Sequence, residues 1–316
     1  MKGFVALELV WIVGIILLTG VILTLSVAYA CFYLAFYVPR KEQKNQPEFD
    51  LPVGKTYEPY HDMMIAWMKQ TRKLPYTEYS ITSYDGLKLY AKYYEHKKSA
   101  PLEIMFHGYR GTAERDLCGG VNRCFALERN VLIVDQRTAG KSEGRVITFG
   151  VKESRDCLSW IDFAIKTFGS DVKIILTGIS MGAATVIMAA GTKLPQNVIG
   201  VLADCGYTSA REMIKKTIKE LNLPCHILYP FVKLGGLIFG GFNVDKATPI
   251  KSIKKCSVPV LFVHGEADGF VPCEMSKQNF EACPTRKLLH TVAGADHGLS
   301  FPVDPEGYLD KLYGFF

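Results

Sequence analysis

The sequence predicts an α/β fold, a mainly parallel sheet with helices on both faces. Three observations carry that prediction. Short β-branched apolar runs alternate with longer segments of helical period along most of the chain. Those runs are apolar almost throughout, as in strands buried on both faces. One of them, residues 172–177, passes through Gly178-Ile179-Ser180-Met181-Gly182 into an Ala-rich stretch, the pattern of a strand, a tight turn and a helix.

Taken in order, residues 4–38 form an almost uninterrupted apolar run whose only charge is Glu8. Its centre matches the ~20 residues that cross a bilayer core. Trp11 lies near one end and Tyr29, Phe32, Tyr33, Phe36 and Tyr37 near the other, as interfacial aromatics do. Ala28-Tyr29-Ala30 has the small-x-small form of a signal-peptide cleavage site, but the run is too long for a signal core, and a retained single-pass anchor over 1–38 is expected. Arg40, Lys41 and Lys44 follow the span against Lys2 before it, which leans towards a catalytic domain on the cytoplasmic side by a margin of one or two charges; the side stays open.

Residues 39–58, with three prolines and mixed charges, read as a tether, and 59–73 as a helix whose Met63, Met64, Trp67 and Met68 stripe packs on core or membrane surface. Together 39–75 form a linker and amphipathic helix ahead of a catalytic domain over 76–316. Residues 79–94 alternate on both sides of Asp85-Gly86, a β-hairpin by period and turn residues. Strands are then expected at 102–106, 131–134, 172–177, 198–203, 258–263 and 287–292, with helices at 153–168 and 305–315. Residues 207–253 interrupt this rhythm and are far longer than a usual connection, so a helical cap over the active site is expected there.

Composition limits the function. The 316 residues suffice for one such domain with an extra segment, and 48% apolar content argues against disorder. The net charge of +6 is scattered singly or in pairs, without an arginine-rich arm, so nucleic acid is not an expected partner. Nine cysteines without Cys-x-x-Cys spacing read as buried free thiols. No metal and no cofactor is expected, and nothing specifies an oligomeric state.

Chemistry centres on Ser180. Glycines two residues to either side suit a turn too tight for side chains, with the serine strained at its tip and helix N–H groups aimed at whatever binds there. A serine hydroxyl needs a base, and the base needs a partner to hold its tautomer. In a nucleophile-elbow arrangement the chain order is serine, acid, histidine. Among seven histidines, His61, His96 and His107 precede Ser180, His226 lies in the cap, His264 precedes the good acid candidates, and His290 sits inside a strand. His297, in a Gly-flanked loop at a strand end, remains. Asp268 is the acid candidate, with Glu266 its nearest rival. Asp296 adjoins His297 and suits a loop or capping role, while Asp135 and Asp204 also follow strands and stay as alternatives. The Gly-rich loop His107-Gly108-Tyr109-Arg110-Gly111 and the elbow offer the amides of Tyr109 and Met181 as an oxyanion hole.

These motifs resemble the α/β-hydrolase superfamily, specifically its serine aminopeptidase and lysophospholipase-like branch of bacterial esterases. The resemblance rests on Gly178-Ile-Ser-Met-Gly182, His107-Gly108, Asp135-x-Arg137-x-x-Gly140-x-Ser142-x-Gly144, Asp204-Cys-Gly-Tyr-Thr-Ser209 and His264-Gly-x-x-Asp268-x-x-Val-Pro272, and spans about three quarters of the chain. It implies the α/β-hydrolase fold, Ser180, Asp268 and His297 as triad, and the amides of Tyr109 and Met181 as oxyanion donors. The sequence departs from the pattern at Thr138-Ala139, where relatives often carry Gly-His, a difference that bears on substrate preference. The expected activity is a membrane-anchored serine hydrolase acting on small-molecule carboxylic esters with an apolar acyl or aryl group, through an acyl-serine. A peptidase, amidase or acyltransferase would use the same triad. A catalytically inactive membrane-bound binding module would usually lack one triad member, and candidates for all three are present.

Overall fold

The computed structural model describes residues 2–39 and 47–316, so Arg40, Lys41 and Lys44 of the expected tether lie outside the described residues. The alternating hairpin and the apolar runs after it form β1 (Thr77–Thr82), β2 (Lys88–Tyr94), β3 (Leu102–Phe106), β4 (Asn130–Asp135), β5 (Ile174–Ile179), β6 (Val198–Asp204), β7 (Val260–Gly265) and β8 (Lys287–Val292). They make one eight-stranded sheet in the order β1-β2-β4-β3-β5-β6-β7-β8. The hairpin β1–β2 and the β2–β4 pair are antiparallel, and every other pair is parallel. Parallel neighbours need crossovers, which the helices supply.

The helices are α1 (Lys2–Ala35), α2 (His61–Lys73), α3 (Ala113–Asp116), α4 (Cys118–Ala126), α5 (Glu153–Phe168) and α6 (Met181–Ala190). The second half adds α7 (Ala210–Glu220), α8 (Cys225–Ile238), α9 (Pro249–Ile253), α10 (Cys273–Ala282), α11 (Ser300–Val303) and α12 (Pro305–Phe315). One sheet face takes α5, α6 and α9, through Trp160, Ile161, Ile187 and Ile253 against Ile104, Phe106 and Leu176. The other takes α2 and α12, through Met64, Met68, Tyr308 and Leu312 against Leu202 and Leu261, with α4 beside them over Met105 and Ile133. Successive strand residues face opposite ways, which is why each central strand is buried at nearly every position.

A cluster of charges is buried on the second face. Glu103 is fully buried on β3 and pairs with Arg123 and, at 3.0 Å, with Arg129, while the Thr177 hydroxyl donates to it at 2.6 Å. Burial pushes its carboxyl up, but the two guanidinium groups more than offset this and hold it at about 2.

Two segments pack differently from the sequence-based expectation. Residues 47–58, read as tether, lie on the domain, with Phe49, Leu51 and Tyr57 against the cluster of α2 and α12. The insertion packs one face of α8 on α1, while Leu221, Leu223, Ile227, Leu237 and Ile238 stay exposed. Gly235 of α8 lies so close to α1 that a Cβ there would overlap the Ala28 carbonyl, and Phe32 and Phe36 of α1 and the turn after it are buried in the same cluster as Tyr229, Val232 and Phe242. The chain leaving α1 is also tied to the domain, since Val38 N–H donates to Arg145 O at 2.8 Å and Ile147 N–H to Phe36 O at 2.9 Å. Over Leu7–Ala35 the helix is long and apolar enough to cross a membrane.

Candidate active site

The carboxyl ends of β3, β5, β6 and β7 meet at one rim of the sheet, where ligands of such folds bind. At the end of β5 the chain turns into α6 within one residue, and Ser180 takes up that turn with φ 56° and ψ −114°. A left-handed non-glycine residue is strained, and here its surroundings leave no alternative. A Cβ on Gly178 would overlap the Gly182 backbone, and one on Gly182 would overlap the Phe106 carbonyl. Ser180 N–H donates to Asp204 O at 2.8 Å, fixing the elbow to β6.

His297, on the loop after β8, brings Nε2 to 2.9 Å from Ser180 Oγ and Nδ1 to 2.7 Å from Asp268 Oδ2. Because a carboxylate only accepts, Nδ1 carries the proton and Nε2 presents its lone pair to the serine hydroxyl. The Asp268 loop after β7 is built to hold that carboxylate: Oδ1 accepts from the amides of Phe270 at 2.9 Å and Val271 at 2.7 Å. Burial pushes the Asp268 carboxyl up, but hydrogen bonds from His264 and His297 more than offset it and keep it at about 2, ionised at neutral pH. Ser180, His297 and Asp268 are thus brought together from three separate strand ends.

Other sequence candidates lie elsewhere. Glu266 accepts from the Thr291 hydroxyl at 2.7 Å. Asp296 bridges the two loops, its Oδ1 accepting from His297 N–H at 2.7 Å and Gly269 N–H at 3.0 Å. Asp135 accepts from the Ala113 amide at 3.2 Å, and Asp204 accepts from the Tyr308 hydroxyl at 2.9 Å. Among the described residues neither the Tyr109 nor the Met181 amide donates to a protein acceptor. The loop carrying Tyr109 is braced below by Asp116, whose Oδ2 accepts from Gly108 N–H at 2.9 Å, and above by α1. The Tyr109 hydroxyl donates to Ala35 O at 2.8 Å, and Arg110 donates to Leu34 O at 2.9 Å and Tyr37 O at 3.1 Å.

Sequence reasoning passed over two residues of this site. His264 is fully buried and donates from Nε2 to Asp268 Oδ2 at 3.1 Å, with Ser276 Oγ on its Nδ1 at 2.6 Å, so it orients the acid. Its spacing of four residues before Asp268 at a strand end was the available signal. Tyr57, from the expected tether, donates its hydroxyl to His297 O at 3.0 Å; nothing local in the sequence marks it. Cys205 lies with Asp268 and His297 in a cluster whose ligand atoms fall within 4.8 Å of one another, but Asp268 and His297 are already engaged in the relay to Ser180.

A cavity of about 400 Å³ opens at Ser180 and His297, within the range of small-molecule sites. The expected cap contributes no lining residue to it. Its wall comes instead from Pro52, Tyr57, Met64 and Trp67 on one side and Phe301 and Pro302 on another. The physical reason lies in α8, whose buried face, at Tyr229, Val232 and Gly235, is packed in the cluster of Phe32 and Phe36 rather than over the cavity.

Comparison with known proteins agrees with this architecture. The chain superposes on the Pyrococcus furiosus esterase Pf2001 with a TM-score of 0.64 and 22% identity, covering 84% of this chain and 95% of that one, a likeness of fold. It is 27% identical over 187 residues to the uncharacterized protein YqkD of Bacillus subtilis (strain 168), 59% of this chain and 61% of that protein. It is 29% identical over 210 residues to protein bem46 of Schizosaccharomyces pombe, 64% of this chain and 63% of that protein. The matches thus span less than two thirds of either curated relative. The model of the prolyl oligopeptidase family matches residues 148–316, a stretch that carries the elbow and both loops that meet it. With more than half of its length so matched, and with the sheet and elbow of the α/β-hydrolase fold, the chain belongs to the prolyl oligopeptidase family.

Proposed function

We propose that the protein is a serine hydrolase that cleaves carboxylic esters, held at a membrane by α1. The observation that carries this reading is the hydrogen-bonded line from Ser180 through His297 to Asp268, at 2.9 and 2.7 Å, with the serine on a strained elbow. In the mechanism, His297 Nε2 takes the Ser180 proton as Oγ attacks the ester carbonyl. The amides of Tyr109 and Met181 receive the oxyanion, a role in which one donor is worth ~3–4 kcal/mol. The imidazolium then protonates the leaving alcohol, and a water activated by His297 hydrolyses the acyl-serine. Asp268 stays ionised and holds the tautomer throughout. Apolar cavity walls at Met64, Trp67 and Phe301 favour an apolar acyl or aryl group.

Ser180→Ala is the test: it should abolish ester hydrolysis and labelling by a fluorophosphonate probe, and undiminished labelling in that variant would reject the nucleophile. A second reading, cleavage of peptide or amide bonds, is favoured by the family match and uses the same relay. Turnover of aminoacyl anilides above that of matched 4-nitrophenyl esters would select it. The membrane role of α1 predicts that the full-length protein resists alkaline carbonate extraction. The nine cysteines, all free, support a catalytic domain facing the reducing cytoplasm.

A further inference from the structure

The stretch Leu234-Gly-Gly-Leu-Ile-Phe-Gly-Gly-Phe242, the end of α8 and the turn after it, carries no charge and lines no part of the active-site cavity. Gly235, Gly236 and Phe242 are buried, whereas Leu237, Ile238 and Phe239 are between 37% and 50% exposed. A helix end that is apolar on both faces and covered on one leaves an apolar face to be accounted for. Contacts with α1 set the level of that face. The rings of Phe239 and Tyr29 meet edge to face at 5.1 Å, and a Cβ on Gly235 would overlap the Ala28 carbonyl. Ala28 and Tyr29 lie six to seven residues before the end of α1 at Ala35, or about 10 Å at ~1.5 Å per residue. The end of α8 therefore reaches back along α1, from the domain towards the span.

Length turns that level into a depth. The apolar part of α1, 29 residues from Leu7 to Ala35, is about 43 Å long, against ~40–45 Å for a bilayer with its headgroup layers and ~30 Å for its hydrocarbon. Seated symmetrically, such a helix places Ala28 and Tyr29 just inside the edge of the hydrocarbon, where interfacial aromatics sit. Tyr29 is itself half-exposed, so the uncovered sides of α1 and α8 adjoin. The turn also meets its own donors, as a segment leaving water must: the amides of Phe239 and Gly240 donate to Gly235 O at 2.9 and 3.3 Å, and that of Phe242 to Gly236 O at 3.0 Å. We infer that the end of α8, at Leu237, Ile238 and Phe239, is a second membrane contact, sunk among the acyl chains of the leaflet on the domain side of α1. The inference rests on the membrane reading of α1 and goes beyond it, because a second contact beside the span limits how far the domain can tilt on the surface.

The experiment places the photocrosslinker p-benzoylphenylalanine in the full-length chain, in place of Ile238 or, in a second protein, of Leu237. Each protein is reconstituted in nanodiscs of phosphatidylcholine and phosphatidylglycerol with radiolabelled acyl chains. Leu17, exposed at the middle of α1, is the positive site. Tyr313, 82% exposed on α12, is the negative site. The chain after α12 ends with Phe316 against Gly200, near the amino end of β6, away from the rim that α1 meets. All these positions are exposed, so the replacements leave the packing intact. After irradiation, lipid label on the protein from Ile238 or Leu237 should approach that from Leu17 and exceed that from Tyr313 by about tenfold, as for a side chain at the acyl boundary. Label from Leu17, with Ile238 and Leu237 both at the Tyr313 level, overturns the second contact and leaves the anchor standing. Label at the Tyr313 level from Leu17 as well overturns both. Adducts of twice the chain mass from Ile238 or Leu237, without lipid label, assign the face to a second copy and overturn the lipid contact.

Discussion

Replacing Asp268 by Asn changes one atom of the relay and reverses what it can offer. In the native loop, Oδ1 accepts from the Phe270 and Val271 amides at 2.9 and 2.7 Å, and Oδ2 accepts from His297 Nδ1 at 2.7 Å and His264 Nε2 at 3.1 Å. Asn has one acceptor oxygen, and the two fixed amides claim it. Its NH₂ then takes the place of Oδ2 and faces two N–H donors. His264 keeps a second acceptor in Val271 O at 2.9 Å, but His297 has none. Moving its proton to Nε2 relieves the clash and points a hydrogen at Ser180 Oγ, where a lone pair is required. A triad histidine held in the wrong tautomer loses about 10⁴ in kcat, or roughly 5 kcal/mol of barrier. The assay is steady-state hydrolysis of 4-nitrophenyl acetate, with the fluorophosphonate labelling rate in parallel and circular dichroism to confirm folding. The expected pattern is a collapse of kcat with KM little changed. A folded Asp268→Asn protein whose kcat stays within tenfold of wild type would refute the reasoning.

Gly182→Ala places a methyl against the Phe106 carbonyl, so it should lower the Tm by roughly 5–10 °C and slow fluorophosphonate labelling more than tenfold, read by scanning fluorimetry and gel labelling. Tyr109→Phe removes the bond to Ala35 O, worth about 1 kcal/mol, and should lower kcat about fivefold with KM unchanged; an unaltered kcat would show that α1 does not position this loop. Glu103→Gln leaves Arg123 and Arg129 short of a buried counter-charge, at a cost of about 3–5 kcal/mol, and thermal melts should show the loss. The native carboxyl is held at about 2, below its ordinary value, so its contribution is full above the unfolded-state pKa near 4.5 and is lost as pH falls towards 2. Acid titrations of wild type should therefore be steeper in that window than those of Glu103→Gln.

Much of this was legible before any coordinates. The strands from β3 onward were marked by apolar runs and the β1–β2 hairpin by alternation around Asp85-Gly86, with the predicted ends displaced by two residues or fewer; the central runs are apolar because those strands are buried on both faces. Ser180, Asp268 and His297 could be singled out because each follows a strand end; chain order removed most rival histidines, whereas Glu266 and Asp204 stayed open as rivals to Asp268 until the loops were placed. What stayed hidden was tertiary. His264 was set aside as a base, and its contact with Asp268 depends on how the 268–271 turn folds back on β7. Pro52 and Tyr57 came to the cavity from a stretch whose prolines and charges suggested only a tether. The apolar residues of α8 suggested a pocket lining, yet sequence alone cannot say whether such a face meets a substrate or a neighbouring helix, and here it meets α1.

The final carbonyls of a helix usually go to water, whereas those of Leu34 and Ala35, with that of Tyr37 just beyond, are taken by Arg110 and Tyr109. Shedding of the hydrolase portion by a protease acting just past the apolar span would strip Arg110 of both these acceptors and Tyr109 of its one. The loop facing the nucleophile would come unpinned in the same event. Liberation and enfeeblement would then be inseparable, and a fragment cut loose would carry little hydrolytic capacity away from the place where it was made.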